Sequence, residues 1–222
     1  ATSYLQTYHL SAREFARKII LDILQTTGIT AAAGIGRTSF SEVRFMIELN
    51  DLTVCLGNQT ILEHCNFHLN DGEHVAIMGP SGSGKTTLLN VIAGLVPPSK
   101  GTMQVQAAKI SYMFQEPRLL PWLTAEDNVN LVLSDRAATK PEARHWLKLV
   151  GLEQDGSKYP DALSGGMQQR VALARCLAYP GDLILMDEPL SALDRDNADA
   201  LLCMIREHTT GRSMVFVTHR PE

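Results

Sequence analysis

Three short runs of residues, in a fixed order, have the types and spacing to handle a nucleoside triphosphate. Gly79-Pro80-Ser81-Gly82-Ser83-Gly84-Lys85-Thr86, continued by Thr87, has the G-x-x-x-x-G-K-[ST] form of a phosphate-binding loop. Gly82 and Gly84 let backbone amides approach phosphate oxygens with no side chain in the way. The N-terminus of a following helix adds partial positive charge. In such a loop Lys85 reaches the β- and γ-phosphates, and the Thr86 hydroxyl ligates magnesium. Further along, Leu183 to Met186 is an apolar run ending in Asp187-Glu188. Asp187 is suited to hold the magnesium shell, and Glu188 to act as base or orienting group for an attacking water. Two exposed acids after a strand would look the same in isolation, but the phosphate loop favours the catalytic reading. Between these runs, Leu163-Ser164-Gly165-Gly166-Met167-Gln168-Gln169-Arg170 makes a second glycine-rich turn into a helix. Ser164, Gly165 and Gly166 offer another hydroxyl and more amides for phosphate, the plain alternative being a Ser-capped helix.

The flanking residues predict elements that would carry this chemistry. Glu73 to Met78 reads as a buried strand entering the glycine loop, and Lys85 to Ala93 as a helix closed by Gly94. Strand, glycine loop and helix form the context a phosphate loop requires. Tyr112-Met113-Phe114 ends a strand at Gln115, and Val215 to Thr218 is a buried strand ending at His219.

From about Phe45 to Glu222 the set resembles the nucleotide-binding domain of ATP-binding cassette (ABC) proteins. The resemblance implies an α/β fold of the P-loop NTPase type. Its expected parts are a mostly parallel core sheet, an antiparallel patch near Phe45 to Leu69, and a helical subdomain over about 124–178. It implies ATP and Mg2+ as cofactors, with Gly79 to Thr87 and Ser164, Gly165, Gly166 and Gln168 as nucleotide-binding residues. Thr86, Gln115 and Asp187 would serve the metal. Glu188, His219, Gln115 and Lys85 would be catalytic: Gln115 as sensor of the γ-phosphate, His219 as the switch histidine bonded to it. Ser191-Ala192-Leu193-Asp194 matches a loop at the dimer contact. In this family the Ser164 signature completes the site of the opposing subunit, so ATP is clamped between two protomers. Members usually stack an aromatic on adenine, and the matching position here is Leu56. They also continue beyond the switch histidine with further strand and helix, so the cassette is expected to be C-terminally truncated.

Composition agrees with a folded domain. The chain has 222 residues, 45% of them hydrophobic and 20% charged, close to the globular average. A formal net charge of -4 argues against a broad nucleic-acid footprint. No apolar run approaches the roughly 20 residues of a membrane-spanning helix, and Ala1-Thr2-Ser3-Tyr4 has no basic and apolar regions of a secretory signal. Cys55, Cys65, Cys176 and Cys203 show no metal or redox spacing and read as reduced structural thiols. His64 and His68 could be drawn with Cys65 as a metal cluster, but strand alternation sends Cys65 to the opposite face.

Residues 1–44 fall outside the cassette pattern and are expected to form an appendage, with residues 45–222 as the ATPase domain. Ser11-Ala12-Arg13-Glu14 is a capping box. Ala12, Phe15, Ala16, Ile19, Ile20, Ile23 and Leu24 continue it as an apolar helical stripe, stopped at Gly28. A strand-like segment follows over Ile29 to Ala33. Thr2 to Leu5, Tyr8 to Leu10, Ala16 to Ile19 and Thr27 to Gly36 resemble part of the palm of Y-family translesion DNA polymerases. That family's catalytic acidic pair would lie upstream, so no polymerase activity is implied, and a chimeric reading frame is the expected origin. Every motif lies downstream, so the appendage is expected to be dispensable for ATP chemistry.

Gln115-Glu116-Pro117-Arg118-Leu119-Leu120-Pro121-Trp122, with Leu123 to Val129, is similar to importer ATPases for nitrate, sulfonate, taurine and related small molecules. Thr124 with Asp127 reads as a helix N-cap with an acid in its first turn. The similarity implies a homodimer bound to a separate membrane permease and served indirectly by a solute-binding protein. Its place would be cytoplasmic, peripheral on the inner face of the membrane, with no nucleic-acid partner. Two other readings remain open on residues alone: a soluble cassette acting on nucleic acid or the ribosome, and an inactive chimeric fragment.

Overall fold

The computed structural model describes residues 30–34, 44–133, 140–191 and 195–218, with backbone alone at 30–34 and 195–197. Two compact units divide the chain, residues 1–108 with 212–222 and residues 109–211.

In the first unit β2 (Phe45–Leu56) and β3 (Gln59–Asn70) pair antiparallel across the turn at Gly57-Asn58. Leu49, Leu52 and Val54 of β2 are buried, opposite Phe67, Cys65 and Leu62 of β3. Those spacings break strict alternation, because each strand carries a bulge there: Asp51 at φ 52° and His64 at φ 49°. A bulge residue re-aims the strand and restores the buried face on its far side. The side chains of the two bulge residues meet, His64 Nδ1 lying 2.6 Å from Asp51 Oδ1.

β5 (Lys100–Val105) adds antiparallel to the other edge of β2. The antiparallel patch thus extends past the expected limits of Phe45 and Leu69, because a third strand joins from well down the chain. Gly101, at φ 87°, runs so close to the Asp51 carbonyl that a Cβ would collide with it.

The same unit holds β4 (His74–Met78), parallel to β8 (Ser213–Thr218) and antiparallel to β1 (Thr30–Gly34). Val75 and Ile77 of β4 and Val215 and Val217 of β8 are buried. α1 (Lys85–Ile92) buries Leu88, Leu89, Val91 and Ile92, and Gly94 at φ 72° ends it as expected. The helix expected over Ser11 to Leu24 lies outside the described residues. So does most of the polymerase-like stretch, whose residues 30–34 form β1.

In the second unit β6 (Ile110–Met113) and β7 (Leu183–Asp187) run parallel, from Ile110 opposite Leu183 to Met113 opposite Met186. Every residue of β7 is buried, which is why its sequence reads as a continuous apolar run rather than an alternation. α2 (Ala125–Asn130), α3 (Lys140–Leu149) and α4 (Gly165–Ala178) pack on one another. A 3-10 turn at Pro160–Ala162 precedes α4, and α5 (Arg195–His208) follows β7. Ser111 Oγ donates to the Cys176 carbonyl and so ties β6 to α4. Among the described residues, no helix is long and apolar enough to cross a membrane.

Candidate functional site

The phosphate loop belongs wholly to the first unit. β4 delivers the chain to Gly79, the loop turns through Gly82 at φ 79° and Gly84 at φ 88°, and α1 starts at Lys85. At Gly84 glycine is required twice, for its left-handed backbone and because a Cβ would sit 2.7 Å from Leu62 Cδ2. The amide of Leu88 donates to the Gly84 carbonyl at 2.8 Å, closing the first helical turn. Lys85 is only 6% exposed. Its ammonium donates to the carbonyls of Gly79 at 2.8 Å and Pro80 at 2.7 Å, with Ser83 Oγ at 3.5 Å. Two carbonyl dipoles hold this cation at the loop itself without neutralising it, so a phosphate anion could replace them. Ser81 and Thr86 are exposed and Thr87 half-buried. Leu56, at the end of β2, is 47% exposed, so an aliphatic side chain stands where an aromatic was expected.

The acidic residues lie in the second unit. Asp187 ends β7, is 2% exposed, and is followed by half-buried Glu188 at φ 51°. A left-handed non-glycine residue stores backbone strain, and such residues concentrate where a side chain must be aimed for function. Burial, with the charge of Asp187 adding to it, pushes the Tyr112 phenol well above its usual range. Tyr112 stacks on Phe114 with ring centroids 4.0 Å apart, and the Arg118 guanidinium lies 3.9 Å from the Phe114 ring. Gln115 follows this column and is exposed.

Ser164 caps α4 by accepting from the Met167 amide at 3.3 Å, and both Ser164 and Gly165 are exposed. The structure therefore includes the helix-capping role, and the exposed face of the turn remains open to a ligand. Gln168 donates from Nε2 to the carbonyls of Pro160 at 2.8 Å and Leu163 at 3.2 Å, bracing the turn before the helix. His219 and residues 192–194 of the expected dimer-contact loop lie outside the described residues.

Three further residues have a positioning part that the sequence did not assign to them. Gln169, buried on α4, donates from Nε2 to the Gln115 carbonyl at 3.4 Å. Arg175, further along the same helix, donates to the carbonyls of Pro117 at 2.8 Å and Arg118 at 3.0 Å. Burial pulls its guanidinium below the ordinary range, yet an arginine stays protonated throughout the folding range. Asn128 is fully buried on α2. Its amide nitrogen donates to the carbonyls of Leu120 at 3.2 Å, Leu123 at 3.1 Å and Thr124 at 3.0 Å, while its oxygen accepts from the Leu120 amide at 2.8 Å. These contacts shape the segment after Gln115. An arginine within the otherwise apolar run from Val171 to Ala178 was the one signal in the sequence. The Thr124 cap is present, accepting from the Asp127 amide at 3.1 Å.

Comparison with known proteins points the same way. The sequence pattern of the ABC transporter family matches residues 62–191. The taurine import ATP-binding protein TauB of Pelagibacter ubique strain HTCC1062 is 42% identical, over 72% of this chain and 66% of its own length. The aliphatic sulfonates import ATP-binding protein SsuB of Bacillus anthracis is 38% identical, over 78% of this chain and 74% of its own. The chain thus spans about two thirds to three quarters of these curated relatives. A dimeric post-hydrolysis structure of the ATP-binding cassette MJ0796, bound to ADP and Pi, superposes with a TM-score of 0.69 at 34% identity. The match covers 79% of this chain and 88% of that one. The order of motifs, the elements that carry them and these likenesses agree: the chain belongs to the ABC transporter family, as one of its ATP-binding cassettes.

Proposed function

We propose that the chain is the ATP-hydrolysing subunit that powers import of a small sulfonate-type anion through a separate membrane permease. The observation that carries this reading is the ordered set of phosphate loop, Ser164 signature and Asp187-Glu188 on the elements described, in a chain similar to taurine and sulfonate import ATP-binding proteins. Residues 45–222 act as the cassette, with 124–178 as its helical subdomain.

In this mechanism the loop amides of Gly79 to Thr87 receive the phosphates, and Lys85 exchanges its two carbonyl partners for phosphate oxygens. The Thr86 hydroxyl, Gln115 and the Asp187 carboxylate supply oxygen donors of the kind Mg2+ takes. The ion, when bound, would neutralise charge on the phosphates. Glu188 orients water for attack, and His219 and Gln115 sense the γ-phosphate. Ser164, Gly165, Gly166 and Gln168 serve the nucleotide of a second copy. The subunit works as a homodimer on the cytoplasmic side of the membrane, fed indirectly by a solute-binding protein. The relatives' names favour transport over action on nucleic acid.

The division of roles is testable. Glu188→Gln should keep ATP binding within about two-fold and lower turnover by about 100-fold or more. Lys85→Ala should weaken binding and turnover together. Equal loss of nucleotide affinity in both variants, measured by fluorescent-nucleotide titration beside phosphate release, would contradict these assignments.

A further inference from the structure

β4 hands the chain to the phosphate loop, and it is bonded along both edges. β8 pairs with it from His74 opposite Met214 to Met78 opposite Thr218. On the other edge β1 pairs from Gly34 opposite His74 to Thr30 opposite Met78, so both ladders run its full length. β1 comes from the segment that contains none of the nucleotide motifs. Its sequence, Thr-Ala-Ala-Ala-Gly, is a poor strand former, because alanine and glycine are both depleted in strands. What makes it a strand is the row of β4 backbone groups it satisfies.

We propose that residues 30–34 are a built-in strand donor that occupies the edge of β4 in cis and holds the phosphate loop in its binding form. The connection favours the chain's own segment over that of a second copy. β1 ends opposite His74, and the chain re-enters at Arg44, whose carbonyl accepts from the Asp71 amide at 2.8 Å. Residues 35–43 therefore have only to bridge neighbouring points near the start of β4, whereas a stretch of that length reaches on the order of 30 Å.

The link to the loop is direct. Thr30 pairs with Met78, the last residue before Gly79, and the carbonyls of Gly79 and Pro80 hold Lys85 Nζ at 2.8 and 2.7 Å. Without β1, β4 becomes an open edge with unpaired amides and carbonyls, a template for other chains. Its end would then fray where the lysine is held. On this inference residues 1–44 are not a passenger, contrary to the expectation from motif positions, and the role is independent of what the cassette powers.

Proline scanning of the full chain tests it. Neighbouring residues of an edge strand point their N–H groups in opposite directions, one into the ladder and one away from it. Of Ala31→Pro and Ala32→Pro, only one should therefore break the pairing. We expect that variant to speed hydrogen exchange of the β4 amides facing β1 by about ten-fold or more, and to weaken binding of a non-hydrolysable ATP analogue by about five-fold. Its neighbour should stay within about two-fold of the parent on both counts. Equal damage or equal tolerance in the two variants overturns the proposal. Faster exchange with unchanged analogue binding overturns the link to the loop. Protection of β4 that rises with protein concentration, in the absence of nucleotide, assigns the edge to a second copy's strand and overturns the pairing in cis.

Discussion

Lys85 shows how a residue can be placed for a ligand by its own neighbours. Its ammonium rests on two backbone carbonyls, partners that match its geometry and leave its charge to be met by phosphate. Leu56 is less well suited to the task inferred for it. An exposed aliphatic can pack on a base but forfeits most of the stacking an aromatic supplies, of order 1 kcal/mol. Leu56→Tyr should therefore tighten ATP binding by about five-fold. Unchanged affinity for both ATP and GTP would show that this position does not face the base. The Asp51–His64 pair poses a different question, because both residues are exposed and both have left-handed backbones. The hydrogen bond from Asp51, with its charge, raises the His64 pKa above 6.5, Glu63 adding to the effect and Lys100 opposing it. A raised folded-state pKa means the stabilisation is fully present below about pH 6.5 and is lost as pH rises through the higher folded value. The gap in melting temperature between the parent and Asp51→Asn should thus be widest in mild acid and close toward pH 8. An NMR titration placing His64 at the same pKa in both proteins would refute this. The phosphate loop and the Asp187-Glu188 pair were legible because their chemistry needs contiguous residues. The paired bulges were not, because Asp51 and His64 meet only once two strands are in register.

Elements differ in how openly the sequence announces them. The strands β4, β7 and β8 are short, largely apolar runs that lead into the quoted motifs, and α4 opens on a glycine turn with a serine cap, so each could be read locally. β5 could not, since Lys100 to Val105 has little apolar character and becomes a strand by pairing with β2. The segment after Gln115 is likewise shaped from outside itself, by Asn128, Arg175 and Gln169 reaching in from α2 and α4. Nothing in the sequence marks Asn128 as a clamp, because its partners are backbone groups, which carry no side-chain signature. Asn128→Ala would take the side-chain partners from the Leu123 carbonyl and the Leu120 amide, at about 2–3 kcal/mol. For a chain of this size that should lower the melting temperature by about 5–10 °C. A shift within about 1 °C, or a variant that loses nucleotide binding without losing stability, would mean the clamp is not structural.

At the scale of the whole molecule, one chain presents two glycine-rich turns suited to phosphate, the Gly79–Thr87 loop and the exposed Ser164-Gly165 turn. A single γ-phosphate has no need of both, and the solved cassette it resembles is a dimer holding ADP and Pi. If Ser164 serves the partner's nucleotide, a Lys85→Ala chain and a Ser164→Arg chain should each be inactive alone. In a mixed two-fold dimer each phosphate loop faces the opposite signature. One composite site then carries both lesions and the other carries none. Mixing the two variants should restore hydrolysis in up to about half of the dimers, those being heterodimers when exchange is random, and each of these has one intact site in place of two. Steady-state phosphate release against mixing ratio should therefore peak near equal proportions. A mechanism confined to single chains gives a flat line near zero at every ratio, because each chain keeps its own defect. If both variants fold and demonstrably exchange subunits and the line is still flat, then either Ser164 does not act in trans or one intact site cannot turn over alone. Repeating the mix with parent and Lys85→Ala chains separates those two outcomes, since their heterodimer also keeps one intact site.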